Sequence, residues 1–326
     1  MRLEIVIVSH KGELEIQTLI LVQSIRKYLH GTFNINIAIP TNIDSPASET
    51  IELLKHWDCR VFYFENRFLK ELKRDLIPGD LVSNKIFALE FFQTKNPVLF
   101  LDSDTCLINT IHSNEFLKSE LFMAKPANRA NVLRWNEIYN YFNFRVPEVT
   151  ITTGVDKRKI PPYFNAGVLY FTNEVYKNII PVWCDLFLQL SEESILKKEY
   201  FSSFNRDQVA LSLALTSTKT NYEELDENLN FPVNAKKISP NNQTKLVHYH
   251  SPFVFYLKDF LKQQLIEIQV DYPFINKLFD LEVRWKRLFL KPKIVTIYFI
   301  FKFKASHTRT LLKFAMNRLF RMFKSR

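Results

Sequence analysis

Asp102 and Asp104 stand two residues apart at the end of the apolar run "VLFL", within "VLFLDSDTCLI" (98–108). In a strand, residues i and i+2 point the same way, so both carboxylates can address one point beyond the strand end. Two carboxylates this close repel, and one is driven toward protonation unless a cation lies between them. A hard divalent cation, Mn2+ or Mg2+, suits such oxygens and commonly bridges from them to a substrate's phosphates. Taken alone, D-x-D is a weak signal, since a solvated turn after a strand carries the same letters.

A second pair lies far downstream. His248 and His250 flank Tyr249 in "KLVHYHSP", again two apart in what reads as a strand, and imidazole suits manganese-type sites with mixed nitrogen and oxygen donors. In isolation such a pair is more often structural. Beside an acidic pair that lacks a third ligand, the metal-binding reading gains weight.

The five glycines, Gly12, Gly31, Gly79, Gly154 and Gly167, are scattered, which excludes GxGxxG and GxxxxGK[ST]. Phosphates, if bound, must be held by something other than a glycine-rich nest, and a metal answers that need. Cys59, Cys106 and Cys184 fit neither a disulfide framework nor a zinc site, and they read as reduced, buried thiols of a cytoplasmic protein. The opening "MRLEIVIVSH" reads as a strand rather than a secretory signal, and no apolar run has the length of a membrane-spanning helix.

The elements that would position these residues follow from periodicity. "LEIVIVSH", "FNINIAIP", "CRVFYFEN" and "NPVLFLDSD" read as strands. "IQTLILVQSIRKYL", "SETIELLKHW" and "NKIFALEFFQT" read as helices. Such alternation predicts an α/β fold with a doubly wound, mostly parallel sheet and helices on both faces. Its ligands belong at the carboxyl ends of the strands, where Asp102 and Asp104 fall. Residues 111–160 are aromatic-rich and less regular, and they read as an excursion over the site. "PPYFNAGVLYFTN" resumes as a strand, "EVYKNIIPVWCDLFLQL" is a helix, and "NRDQVALSLALTS" starts another.

Of the 44 basic and 34 acidic residues, thirteen and one respectively fall in 281–326, so the net charge of +10 resides in the tail and the body is nearly neutral. A surface built for nucleic acid is not indicated. On a helical wheel, "RTLLKFAMNRLFRMFKSR" places Leu311, Leu312, Ala315, Met316, Leu319, Met322 and Phe323 on one arc. Arg309, Lys313, Arg318, Arg321 and Lys324 fall on the other. A basic amphipathic helix suits an anionic membrane surface, although a helix packed on the body would show the same pattern. The expected organisation is a catalytic domain over 1–280 (a nucleotide-binding half near 1–110, an acceptor half near 111–280) and a basic tail over 281–326. The expected location is peripheral, on the inner face of the membrane.

Four motifs in this order, "FLDSDTCLI", "YFNAGVLYFTN", "NRDQVAL" and "LVHYHSP", resemble the GT-A fold glycosyltransferases, most closely the retaining glycogenin/galactosyltransferase-like group. The likeness spans roughly residues 3–257. It implies that Asp102, Asp104 and His248 bind Mn2+ or Mg2+ on a nucleotide-diphosphate sugar, with a UDP-sugar favoured. Ser103 would lie near the donor ribose, Lys85 near the donor, and Asn165, Ala166 and Gly167 along the sugar pocket. Asp207 and Gln208 would sit beside the transferred sugar, and Asn234 would close the segment before the last strand. His250 is extra to the family pattern, a substrate-facing group that could replace His248 on the metal. The lysine that usually follows the histidine is missing, or is supplied by Lys258 or Lys85. The loop after the first strand, "SHKGELEIQ", departs from the family, which leaves the base open. The acceptor would be a glycan or lipid-linked glycan. Two other readings remain at this point: a haloacid-dehalogenase-like phosphotransferase, disfavoured by Cys106 two residues after Asp104, and a non-catalytic membrane-docked scaffold.

Overall fold

The computed structural model describes residues 1–73, 75–77, 79–130, 134–148, 150–192, 205–233, 240–254 and 257–289. The chain divides into two compact units, one spanning Met1–Leu278 and a second that begins at Phe279. Within the second, the rings of Phe279 and Phe289 lie 5.4 Å apart around the short helix Val283–Lys286. The amphipathic segment of the tail lies outside the described residues.

The first unit is built on a seven-stranded sheet. Four strands run parallel in its centre and at one edge: β1 (Leu3–Val8), β2 (Phe33–Pro40), β3 (Arg60–Phe64) and β4 (Val98–Leu101). Leu3–Val8 and Val98–Leu101 are buried throughout, as expected for strands covered on both faces. Helix α1 (Glu13–Tyr28) follows β1, and α2 (Ser48–His56) and α3 (Ser83–Phe91) follow later strands. This order agrees with the α/β alternation expected from the sequence.

Beyond β4 the sheet departs from pure parallel winding. β4 runs through Leu101 into a turn holding Asp102–Asp104, and β5 (Thr105–Leu107) leaves the main sheet. β6 (Phe122–Pro126) and β7 (Phe164–Phe171) complete the interior, with β7 antiparallel to both of its neighbours. β8 (Tyr222–Glu224) then pairs parallel with β6 at the edge. The expectation that 111–160 is an excursion is corrected in part, because residues 122–126 are an interior strand buried at every position. Five residues holding one lysine and ending in proline have too little alternation to announce a strand.

Helices α4 (Asn173–Leu190) and α5 (Arg206–Ser217) pack together, and the Thr172 hydroxyl caps α4 by accepting from the Val175 amide. A separate three-stranded sheet joins β5 to β9 (Phe231–Pro232) and β10 (Leu246–His248). Its antiparallel register sets Leu246 against Leu107, Val247 against Cys106 and His248 against Thr105. Among the described residues, no helix is long and apolar enough to cross a membrane. The three cysteines are free and buried.

Candidate active site

The turn Asp102–Asp104 joins two sheets, and each sheet delivers a partner to it. In the main sheet Leu101 pairs with Val168, and the Asp102 amide donates to the Gly167 carbonyl at 2.8 Å. In the small sheet the Tyr249 amide donates to the Asp104 carbonyl at 3.0 Å, one step beyond the His248–Thr105 pair. Backbone pairing thereby sets "NAG" and "HYH" on either side of the acidic turn. The turn is closed by the Thr105 amide and hydroxyl, which donate to the Asp102 carbonyl at 3.0 and 2.7 Å.

The strand argument for the two carboxylates needs correction at this level. The strand ends at Leu101, so Asp102 and Asp104 lie in a turn rather than alternating along a strand, and they face different partners, Asp102 meeting Lys85 and Asp104 the two histidines. Likewise β10 ends at His248. His250 reaches the site because its backbone adopts φ of 51°, a left-handed conformation that histidine enters more readily than most side chains.

Two clusters form on this turn. In the first, Lys85 Nζ lies 2.8 Å from Asp102 Oδ2 and 3.3 Å from Asp207 Oδ2, and it donates to the Ala166 carbonyl at 3.2 Å. Burial disfavours the charged ammonium, but the two carboxylates outweigh it and hold the lysine pKa above its ordinary value. Asp102 is pushed upward by burial and by the Asp104 charge, against the pull of Lys85. In the second cluster, Asp104 Oδ1 lies 3.0 Å from His248 Nε2 and Asp104 Oδ2 lies 3.0 Å from His250 Nδ1. Burial opposes the Asp104 charge, yet the two imidazoles hold its carboxyl well below the carboxylate range. Burial pushes His248 below the ordinary imidazole value and outweighs Asp104. His250 is pushed down by burial but raised further by its hydrogen bond to Asp104.

The donor atoms of Asp104, His248 and His250 lie within 4.8 Å of one another, which suits a divalent cation with oxygen and nitrogen ligands. Gly167 makes room for this group. A Cβ there would stand 2.4 Å from His248 Cε1 and 2.6 Å from its Nδ1, closer than side chains pack. The glycine therefore admits the imidazole ring itself.

The remaining expected residues fall as follows. Asn165 Oδ1 accepts from the Gly167 amide at 3.1 Å and from Asn230 Nδ2 at 3.0 Å. Ala166 is buried and serves through its carbonyl. Ser103, also buried, donates to Gln17 Oε1 of α1 at 3.1 Å. Gln208 follows Asp207 on α5 and is half-buried. Asn234 lies outside the described residues.

Sequence reasoning passed over Asn230, Gln17, Arg206 and Asp80. The Arg206 guanidinium, wholly buried, pairs with the equally buried Asp80 and donates to Ser191 Oγ at 2.7 Å. It lies against the rings of Phe68 and Phe187, 5.6 and 5.2 Å from their centroids. Trp183 Nε1 donates to the Asp207 carbonyl at 2.8 Å. These contacts fix the first turn of α5, which presents Asp207. The polar helix start "NRDQ" gave no sign that Arg206 is buried, and a single sequence does not reveal its partner.

The model of the Rhodobacterales glycosyltransferase domain matches residues 5–219, more than half of the chain, and the chain belongs to that family. It is a glycosyltransferase of the GT-A fold. Its structure is similar to that of an active-site variant of LgtC, with a TM-score of 0.53 and 11% identity over 81% of this chain and 95% of that one. The galactosyltransferase LgtC in complex with donor and acceptor sugar analogues gives a TM-score of 0.50 at 11% identity, covering 80% and 95% of the two chains. The bifunctional glycosyltransferase WbbM gives 0.51 at 15% identity over 86% of this chain, which spans only 52% of WbbM. No curated protein matches the chain. The match to a glycosyltransferase domain over residues 5–219 displaces the phosphotransferase alternative.

Proposed function

We propose that the chain transfers a sugar from a nucleotide-diphosphate sugar, with a UDP-sugar favoured, to a glycan or lipid-linked acceptor. Mn2+, or Mg2+ in its place, would be held by Asp102, Asp104 and His248. The observation that carries this reading is the convergence of Asp104 and His248, 3.0 Å apart, on the turn that also holds Asp102. When bound, the cation would neutralise charge on the departing nucleoside diphosphate.

The chain's own residues would do the rest. The bond between the anomeric carbon and the diphosphate oxygen breaks as the acceptor oxygen bonds to that carbon, and the acceptor proton leaves with the diphosphate. Lys85, kept protonated, places positive charge beside the diphosphate and tethers Asp207. Asp207, 3.3 Å from the Lys85 ammonium, would position the transferred sugar, and we favour retention. Gln208 would contact the same sugar, Asn165, Ala166 and Gly167 would line its pocket, Ser103 would approach the ribose, and Asn234 would be a further substrate-binding residue. The basic tail, 281–326, would hold the enzyme against an anionic membrane on its cytoplasmic face, where lipid-linked acceptors are built.

The deciding experiment offers the purified chain a panel of nucleotide sugars with Mn2+, Mg2+ or chelator. Metal-dependent release of nucleoside diphosphate, lost in Asp102→Ala with the fold unchanged, is expected. Equal turnover in that variant defeats the metal assignment. The anomeric configuration of the product, read by NMR, separates retention from inversion.

A further inference from the structure

Two imidazoles meet one carboxylate in this site, and they do so by different routes. His248 approaches through Nε2 from the end of a regular strand, whereas His250 approaches through Nδ1 from a left-handed residue. The rings stand 3.9 Å apart at 48° to one another. Each nitrogen is 3.0 Å from its own oxygen of Asp104. Two ligands at right angles, each about 2.1 Å from a small cation, stand about 3.0 Å apart, so both separations are those of neighbouring ligands. The left-handed backbone costs free energy, and such conformations persist where the surroundings impose them, often at ligand sites. His248 is almost wholly buried, whereas the His250 side chain is 46% exposed, so His250 flanks the cluster on its solvent side.

From this geometry we infer that His250 joins Asp104 and His248 as a second imidazole ligand, so that two ring nitrogens and the acidic turn hold the cation. The inference rests on the metal-dependent transfer proposed above and adds a selectivity. Magnesium favours oxygen ligands and retains its waters, whereas the first-row transition metals bind mixed nitrogen and oxygen sites with affinity that rises from manganese toward the later metals. The site therefore favours transition metals, Mn2+ among them, over magnesium, and His250 adds to the discrimination that His248 alone would give.

The test titrates Mn2+ and Mg2+ separately into the full chain by calorimetry, without nucleotide, for wild type, His250→Ala and His250→Gln. Pulsed EPR of the Mn2+-loaded protein counts coupled imidazole nitrogens. Losing a ligand should weaken Mn2+ binding at least as much as losing an outer-shell partner does, about 10-fold. Mg2+ binding should change far less, and the coupled nitrogens should fall from two to one in both variants. Circular dichroism confirms that each variant is folded, and glutamine, which can offer an oxygen but no ring nitrogen, should shift the preference toward Mg2+ relative to wild type. Unchanged Mn2+ affinity, a wild-type spectrum with one coupled nitrogen, or no Mn2+ uptake would each overturn the inference. Sugar transfer with a one-nitrogen spectrum would sink His250 alone. A two-nitrogen spectrum without turnover on any donor would sink the sugar-transfer reading and leave this one standing.

Discussion

Gly167 and His248 share one space: the imidazole Cε1 lies where only 2.4 Å would separate it from a Cβ on residue 167. The glycine of the "NAG" strand thus admits the histidine of a different sheet. Gly167→Ala should displace the ring, weaken Mn2+ binding by about 10-fold or more, as disturbance of a metal's supporting shell does, and destabilise the fold by about 1–3 kcal/mol, as overpacking does. Calorimetric metal titration and urea denaturation read the two effects separately, and wild-type metal affinity in the variant would refute the steric account.

Lys85 is the sole cation among the described residues within ion-pair distance of Asp102 and Asp207. Replacing it by methionine leaves two mostly buried carboxylates without it. Breaking a buried pair in this way typically costs about 3–5 kcal/mol. We expect Lys85→Met to lower stability toward that range and to abolish transfer. Lys85→Arg, a broader, planar group in a closed space, should rescue stability only in part. Urea melts with parallel turnover assays check both.

Arg206 and Asp80 anchor the helix start that carries Asp207, although neither belongs to the reacting cluster. Arg206→Ala and Asp80→Ala should each cost about 3–5 kcal/mol. The double variant should cost clearly less than the sum, because the second change removes the charge that the first orphaned. A double-mutant cycle by denaturation measures the coupling, and strict additivity would show that the pair does not act as a unit.

The Asp104–His250 pair gives the metal-free protein a defined pH response. His250 has its pKa raised in the folded state, so its stabilisation is complete below the free imidazole value of about 6.5 and fades as pH rises through the higher folded value. Asp104 has its pKa lowered, so its stabilisation is present above the free carboxyl value of about 3.9 and is lost as pH falls through the lower folded value. The pair's contribution should therefore be greatest between those limits, so the stability lost in His250→Ala, read by thermal melts in chelator, should shrink as pH rises. Metal uptake must displace the His250 proton, so Mn2+ affinity should instead rise with pH through the neutral range.

Much of the architecture was legible from local pattern. Continuous apolar runs such as Leu3–Val8 and Val98–Leu101 mark strands buried on both faces, and α1, α3, α4 and α5 follow from their length and periodicity. Phe122–Pro126 escaped because its burial is imposed by β7 and β8 on either side rather than written in its own alternation. Asn230 escaped because nothing in its own segment reports that Asn165 lies opposite.

The chain's letters settled which chemistry was available, paired carboxylates and paired imidazoles, while Lys85 and Gly167 were singled out by the family resemblance. Local spacing can do this because side-chain chemistry and short-range periodicity reside in the residues themselves. Which of them meet was decided in three dimensions. Backbone pairing between strands more than a hundred residues apart set His248 beside Asp104, and a left-handed φ turned His250 onto the same carboxylate. The charges of Asp102 and Asp207 then drew Lys85 between them, against the cost of burying its ammonium. Register, backbone hand and desolvation belong to pairs and neighbourhoods, and no single stretch of sequence carries them.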